Sequence, residues 1–209
     1  WKSISEEDFN TANRQSPRKR YKLHGPIDDA FASGFSCVIG SGPTWHQSTQ
    51  KFVDAKVAAF KYDWAKHWRG ELPTTGDYAV NPNDIKDKHL ILFGDPSSNL
   101  TLAQILPKLP LKWTKDEIEF NGKKYKSSEH VPVMIFPNPL NPLKYVVLNT
   151  GHTIPSEDYT KTNAMLYPRL GDYAILRMTP TAQNAAAYEV RDRKGTEAAP
   201  KKESTELAA

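Results

Sequence analysis

The sequence is poor in the residues that staple, span or signal. It has one cysteine in 209 residues, Cys37, so the chain alone can build neither an internal disulfide nor a cysteine-based zinc site. Cys37 lies in an apolar run and reads as a buried core thiol. The longest apolar runs, such as Val131–Phe136, fall far short of the roughly 18 residues a membrane span needs. Trp1 to Gln15 is polar and has no apolar stretch of the secretory-signal kind. The chain opens at Trp1 rather than Met, which reads as a processed or excised segment of something longer. Charge of one sign is also scarce: 28 Lys+Arg against 24 Asp+Glu leaves +4. Part of that excess is one cluster, Arg18, Lys19, Arg20 and Lys22. A nucleic-acid interface needs a wider basic face with interleaved aromatics, so no nucleic-acid partner is expected.

Catalytic signatures are missing too. There is no Gly-x-Ser-x-Gly nucleophile elbow, and Gly34-Phe35-Ser36-Cys37-Val38 does not match one. His24, His46, His67, His89, His130 and His152 show no short ligand spacing, and no His-Glu-x-x-His occurs, so no metal is expected. Gly40-Ser41-Gly42 lacks the P-loop lysine and the full Gly-x-Gly-x-x-Gly pattern. No cofactor is expected.

What the chain does have is a globular composition, with 38% hydrophobic and 25% charged residues. Its 16 prolines exceed the usual share of about 5%. Residues 1–24 read as a polar, basic arm and 181–209 as a flexible tail with little to fill a core. Residues 25–180 are a good size for one domain.

Within that body, Phe35–Ile39 is an apolar run that stops at Gly40-Ser41-Gly42-Pro43, the pattern of a buried strand and a tight turn. Val53, Val57, Phe60, Trp64 and Trp68, with Phe52 beside them, recur at helical spacing and predict a long amphipathic helix stopped near Gly70. The two tryptophans read as core or as an interdomain contact. Lys88–Phe93 predicts a second strand, running into Gly94-Asp95-Pro96-Ser97-Ser98-Asn99. Thr101 and Gln104 have capping-box spacing for a short helix ending near Pro107. Asn121-Gly122 between Glu117–Phe120 and Lys123–Lys126 predicts a type I′ hairpin. Val131–Phe136, Tyr145–Asn149 and Asp172–Arg177 complete the strands. Leu140 to Lys144 is too short for a parallel crossover, so the two strands it joins either pair as a hairpin or sit apart.

The fold class is α/β: a Rossmann-like or flavodoxin-like three-layer sandwich with a mostly parallel sheet, an antiparallel edge and a small β-hairpin insertion. In such sheets ligands sit at the carboxyl ends of the strands. The candidate site is therefore Gly40, Ser41, Gly42, Asp95, Ser97, Ser98, Asn99 and His152. Three readings remain open. Ser41, Asp95 and His152 are nucleophile, orienter and base of a self-contained hydrolase. The same residues are only turn and cap chemistry. Or the loops bind a small ligand or glycan without catalysis.

Five runs carry a resemblance when taken together. They are His24-Gly25-Pro26-Ile27-Asp28-Asp29-Ala30-Phe31, then His89 through Asn99, Val131 through Pro142, Tyr145 through Thr153, and Leu166 through Ala174. In this order they resemble the C-terminal region of large bacterial prolyl-oligopeptidase-like serine hydrolases, over about Arg18 to Arg177. The resemblance implies that the nucleophile lies in an upstream catalytic domain of the same parent protein. This chain would then be a noncatalytic accessory domain that packs on or gates that partner. It also implies a periplasmic or extracellular setting.

Overall fold

The two apolar runs flanking the predicted helix form the centre of the main sheet. In the computed structural model, which describes residues 23–178, the backbone of 188–194 and positions 5, 7, 8 and 11, β1 is Phe35–Ile39 and β3 is His89–Phe93. Their consecutive residues are buried on both faces, which is why neither run alternates. Between them, α1 (Gln47–Trp68) turns Phe52, Val53 and Phe60 inward. It ends where expected, but the left-handed residue is Arg69 (φ 54°), whose N–H reaches Ala65 O, one position before Gly70.

Two elements lie outside the sequence expectations. β2 (Thr74–Gly76) is only three residues long, too short for a period to show. α2 (Pro82–Asp87) carries the capping box: the Asn81 side chain accepts the Asn83 and Asp84 amides, and Asp84 accepts the Asn81 amide. At α3 (Leu100–Ile105) the cap is Asn99, which accepts the Leu102 amide, rather than Thr101. A 3₁₀ turn over Leu106–Lys108 follows. Next come β4 (Lys112–Trp113), β5 (Glu117–Phe120) and β6 (Lys123–Lys126). The hairpin bounds hold, and Asn121 (φ 50°) and Gly122 (φ 74°) take the positive angles of its turn. β4 enlarges the expected insertion to a three-stranded antiparallel sheet.

β7 (His130–Asn138) and β8 (Asn141–Leu148) pair antiparallel, so the hairpin alternative holds. β9 is Tyr173–Met178 and β10 is Tyr188–Lys194. The main sheet has seven strands in the order β10-β9-β7-β8-β3-β1-β2. β8, β3, β1 and β2 are parallel neighbours, whereas β7, β9 and β10 continue antiparallel. Five strands share one direction, with β7 and β10 opposed to them. The antiparallel edge thus comprises three strands, β7, β9 and β10. It is begun by the two-residue β7–β8 connection, which permits no crossover. β10 carries the sheet past residue 180, so not all of 181–209 is tail. At the other end Leu23, 4% exposed, already belongs to the core, two residues inside the expected arm. The cluster Arg18–Lys22 lies outside the described residues. Among them, no helix is long and apolar enough to cross a membrane.

Candidate functional site

The loops after β1 and β3 do meet, at the point where strand order reverses between β1 and β3. They are zipped together rather than left open. Asp95, 1% exposed, spends both carboxylate oxygens on backbone: Oδ1 accepts the Ser97 and Ser98 amides, and Oδ2 accepts the Trp45 amide at 2.7 Å. Ser98 Oγ accepts the Asp95 amide in return. Asn99 Nδ2 donates to Val38 O and Phe93 O while its Oδ1 caps α3. The Gly42 amide donates to Ser98 O. A Cβ on Gly40 would lie 2.6 Å from that same carbonyl, so only glycine fits.

A second carboxylate closes the crevice from the side. Asp77, in the short turn after β2, accepts the Ser41 and Tyr78 amides at Oδ1 and the Leu100 amide at Oδ2. Ser41 is exposed, but its neighbour in this network is Asp77, not a histidine. The candidate residues Gly40, Ser41, Gly42, Asp95, Ser97, Ser98 and Asn99 are therefore together, as a junction whose polar groups serve one another.

His152 is elsewhere. The segment after β8 runs back over α1, where a Cβ on Gly151 would strike the Phe60 ring at 2.5 Å. The His152 ring is stacked on Trp68 (4.8 Å, 7°), lies near-parallel to Trp64 (6.1 Å, 14°) and packs against Phe31 (4.2 Å). Its acidic neighbour is Asp28, with Nδ1 3.4 Å from Oδ1, rather than Asp95. That approach lacks hydrogen-bond geometry, and both ring nitrogens are buried without a hydrogen-bond partner. Asp28 itself is held by Thr153, whose amide and hydroxyl both donate to it. Among the described residues no hydrogen bond joins the His152 ring to Ser41 or Asp95.

This second place is a cleft of about 360 Å³ between α1 and the 150–169 segment. Lys56, Phe60, Asp63 and Trp68 line it from α1; His152, Tyr159 and Arg169 line it from the opposite wall. Burial pushes the Lys56 ammonium down to about 8, and the Asp63 carboxylate opposes that shift. Burial, aided by the Asp28 and Asp63 charges, pushes the Tyr159 phenol up to about 12. Its hydroxyl is buried without a hydrogen-bond partner. His67 Nε2 lies 3.0 Å from Ser156 Oγ at the rim, and the His67 ring packs on Tyr159 at 4.5 Å. Arg169 bonds Asp158, which also accepts from Lys161 at 2.9 Å; these bonds hold the Asp158 carboxyl below its ordinary range. Arg169 also lies over the Tyr167 ring at 4.0 Å.

Of this second site the sequence reading found only His152. Lys56, Asp63 and His67 were legible in principle, because spacings of 7 and 4 put them on one helix face beside the apolar stripe. Tyr159 and Arg169 carry no local signal.

No group of three or more His, Cys, Asp or Glu among the described residues is placed to hold a metal ion. The runs that carry the hydrolase resemblance interlock: Asp28 with Thr153, Asp29 with Tyr145, Gly94 with Asn149, Ile27 with Gly171, and Ile135 with Asp172. Comparison with family models, curated proteins and solved structures finds no match for this chain.

Proposed function

We propose that this chain is a noncatalytic binding module whose small ligand sits in the cleft between α1 and the 150–169 segment. The observation that carries the reading is a set of three buried polar atoms, the two His152 ring nitrogens and the Tyr159 hydroxyl, that make no hydrogen bond within the protein. Each such atom costs about 1–3 kcal/mol. A ligand that hydrogen-bonds them recovers part of that cost, and the cleft volume is within the range of small-molecule sites. The noncatalytic half of the proposal rests on the junction, where Asp95 accepts three backbone amides and the carboxylate beside Ser41, Asp77, is itself bonded to backbone amides, with no histidine in either set of bonds.

The resemblance supports placing the module beside an upstream serine-hydrolase domain of one parent protein, in a periplasmic or extracellular setting. We extend the proposal to layering: right-handed crossovers would put α1 and α2 on opposite faces of the sheet, as in Rossmann-like or flavodoxin-like folds. The test of the functional reading is activity of the isolated chain on a p-nitrophenyl ester and a dipeptide anilide. No turnover above buffer is expected. Turnover that disappears in Ser41→Ala or Ser156→Ala would overturn it.

A further inference from the structure

The charged groups of the cleft already answer one another. Lys56, Arg169, Asp63 and Glu157 are the charged residues that line it, so the lining sums to no net charge when all four are ionised. Arg169 is engaged by Asp158, and the Asp63 charge acts on Lys56. An anion entering here would find both cations already opposed by carboxylates. The unsatisfied groups are of another kind. An imidazole offers a donor and an acceptor, and a phenol hydroxyl offers both. Beside them stand apolar walls: Phe60, Ile154, Pro155 and Trp68, the last 40% exposed. Hydroxyls that both donate and accept, carried on a flat ring with apolar C–H faces, match this lining. A volume of about 360 Å³ holds one or two such rings.

We propose that the ligand is a neutral saccharide, a mono- or disaccharide unit seated against the exposed part of Trp68, beside the Tyr159 ring that packs edge-on to it at 5.3 Å, with its hydroxyls on Tyr159 and His152. This deepens the binding reading above and rests on it.

The full chain is titrated with methyl glycosides of glucose, galactose, mannose and N-acetylglucosamine, and with maltose and cellobiose. Tryptophan fluorescence and melting temperature are followed, with sodium phosphate, acetate and choline chloride as charged probes. At least one saccharide is expected to give a saturable signal with thermal stabilisation. Its affinity should change less than about twofold when salt rises tenfold, because no ion pair forms. Trp68→Ala and Tyr159→Phe should each weaken it by about tenfold. Tyr159→Phe removes only a hydroxyl, so the test stands even if Trp68→Ala fails to fold. Binding of charged probes alone, or saccharide binding that salt abolishes, overturns the saccharide assignment and leaves the cleft a ligand site. Saccharide binding unaffected by Tyr159→Phe places the sugar elsewhere and also overturns it. Silence from every probe, charged and neutral, overturns both proposals.

Discussion

At position 89 the imidazole is 7% exposed, and its Nδ1 accepts the Tyr145 amide at 2.8 Å. That acceptor role requires the ring to be neutral at Nδ1. Burial pushes the His89 pKa down to about 4; the Lys144 charge adds to the shift and Asp29 opposes it. In the unfolded chain the ring titrates near 6.5, so between these values the unfolded state binds more protons. The stability His89 contributes is therefore complete above about pH 6.5 and is lost as pH falls towards about 4. After allowance for solvent screening it is on the order of 2 kcal/mol. Urea unfolding at about pH 4.5 and about pH 7 should show this gap, and His89→Gln should narrow it. An unchanged gap in the variant would remove His89 from the account. His89 was legible only as part of a strand. Its burial comes from the β3–β8 pairing, which brings Tyr145 to it from far along the chain.

The loops between elements show why the candidate site was only half legible. Glycine, serine, aspartate and asparagine after a strand suit a ligand-binding loop and a self-bonded turn equally well. What decides is the partner, and Asp77 arrives from behind β2, a strand too short to announce itself. The junction should be rigid and costly to break. Asn99→Ala removes three hydrogen bonds, two of them to strand-end carbonyls, so a loss of about 3 kcal/mol is expected in chemical denaturation. Gly40→Ala should cost about 2 kcal/mol through its clash with a backbone carbonyl that a rotamer change cannot relieve. Near-native stability in both variants would mean the loops are open in solution. On α1 the apolar stripe was plain, whereas the neighbouring polar face needed the 150–169 segment to become a wall.

Across the whole molecule, one buried cluster runs from Leu23 through both sheets to Leu176, and includes Trp113, Ile118 and Phe120 of the small sheet. Polar ties reinforce that continuity: His46 reaches Lys115 O at 2.7 Å, and Asn121 donates to the Tyr173 hydroxyl at 2.8 Å. Unfolding should accordingly be a single cooperative transition, with far-ultraviolet dichroism and tryptophan fluorescence giving midpoints within about 0.2 M urea. Separate midpoints would show that the small sheet is an independent unit. The parallel centre and the Asn-Gly hairpin were legible because local pattern fixes them. Of the antiparallel strands only the β7–β8 pairing was legible, since the places of β9 and β10 are a matter of long-range pairing. The lengths and residues of the outer strands have a last consequence, for behaviour in a crowded solution. A sheet edge invites foreign strands to add to it and seed aggregates. Here β2 offers an intruder three residues, following Pro73, and the outer strand of the small sheet, β6, carries Lys123, Lys124 and Lys126. Brevity protects the β2 edge and like-charge repulsion the β6 edge.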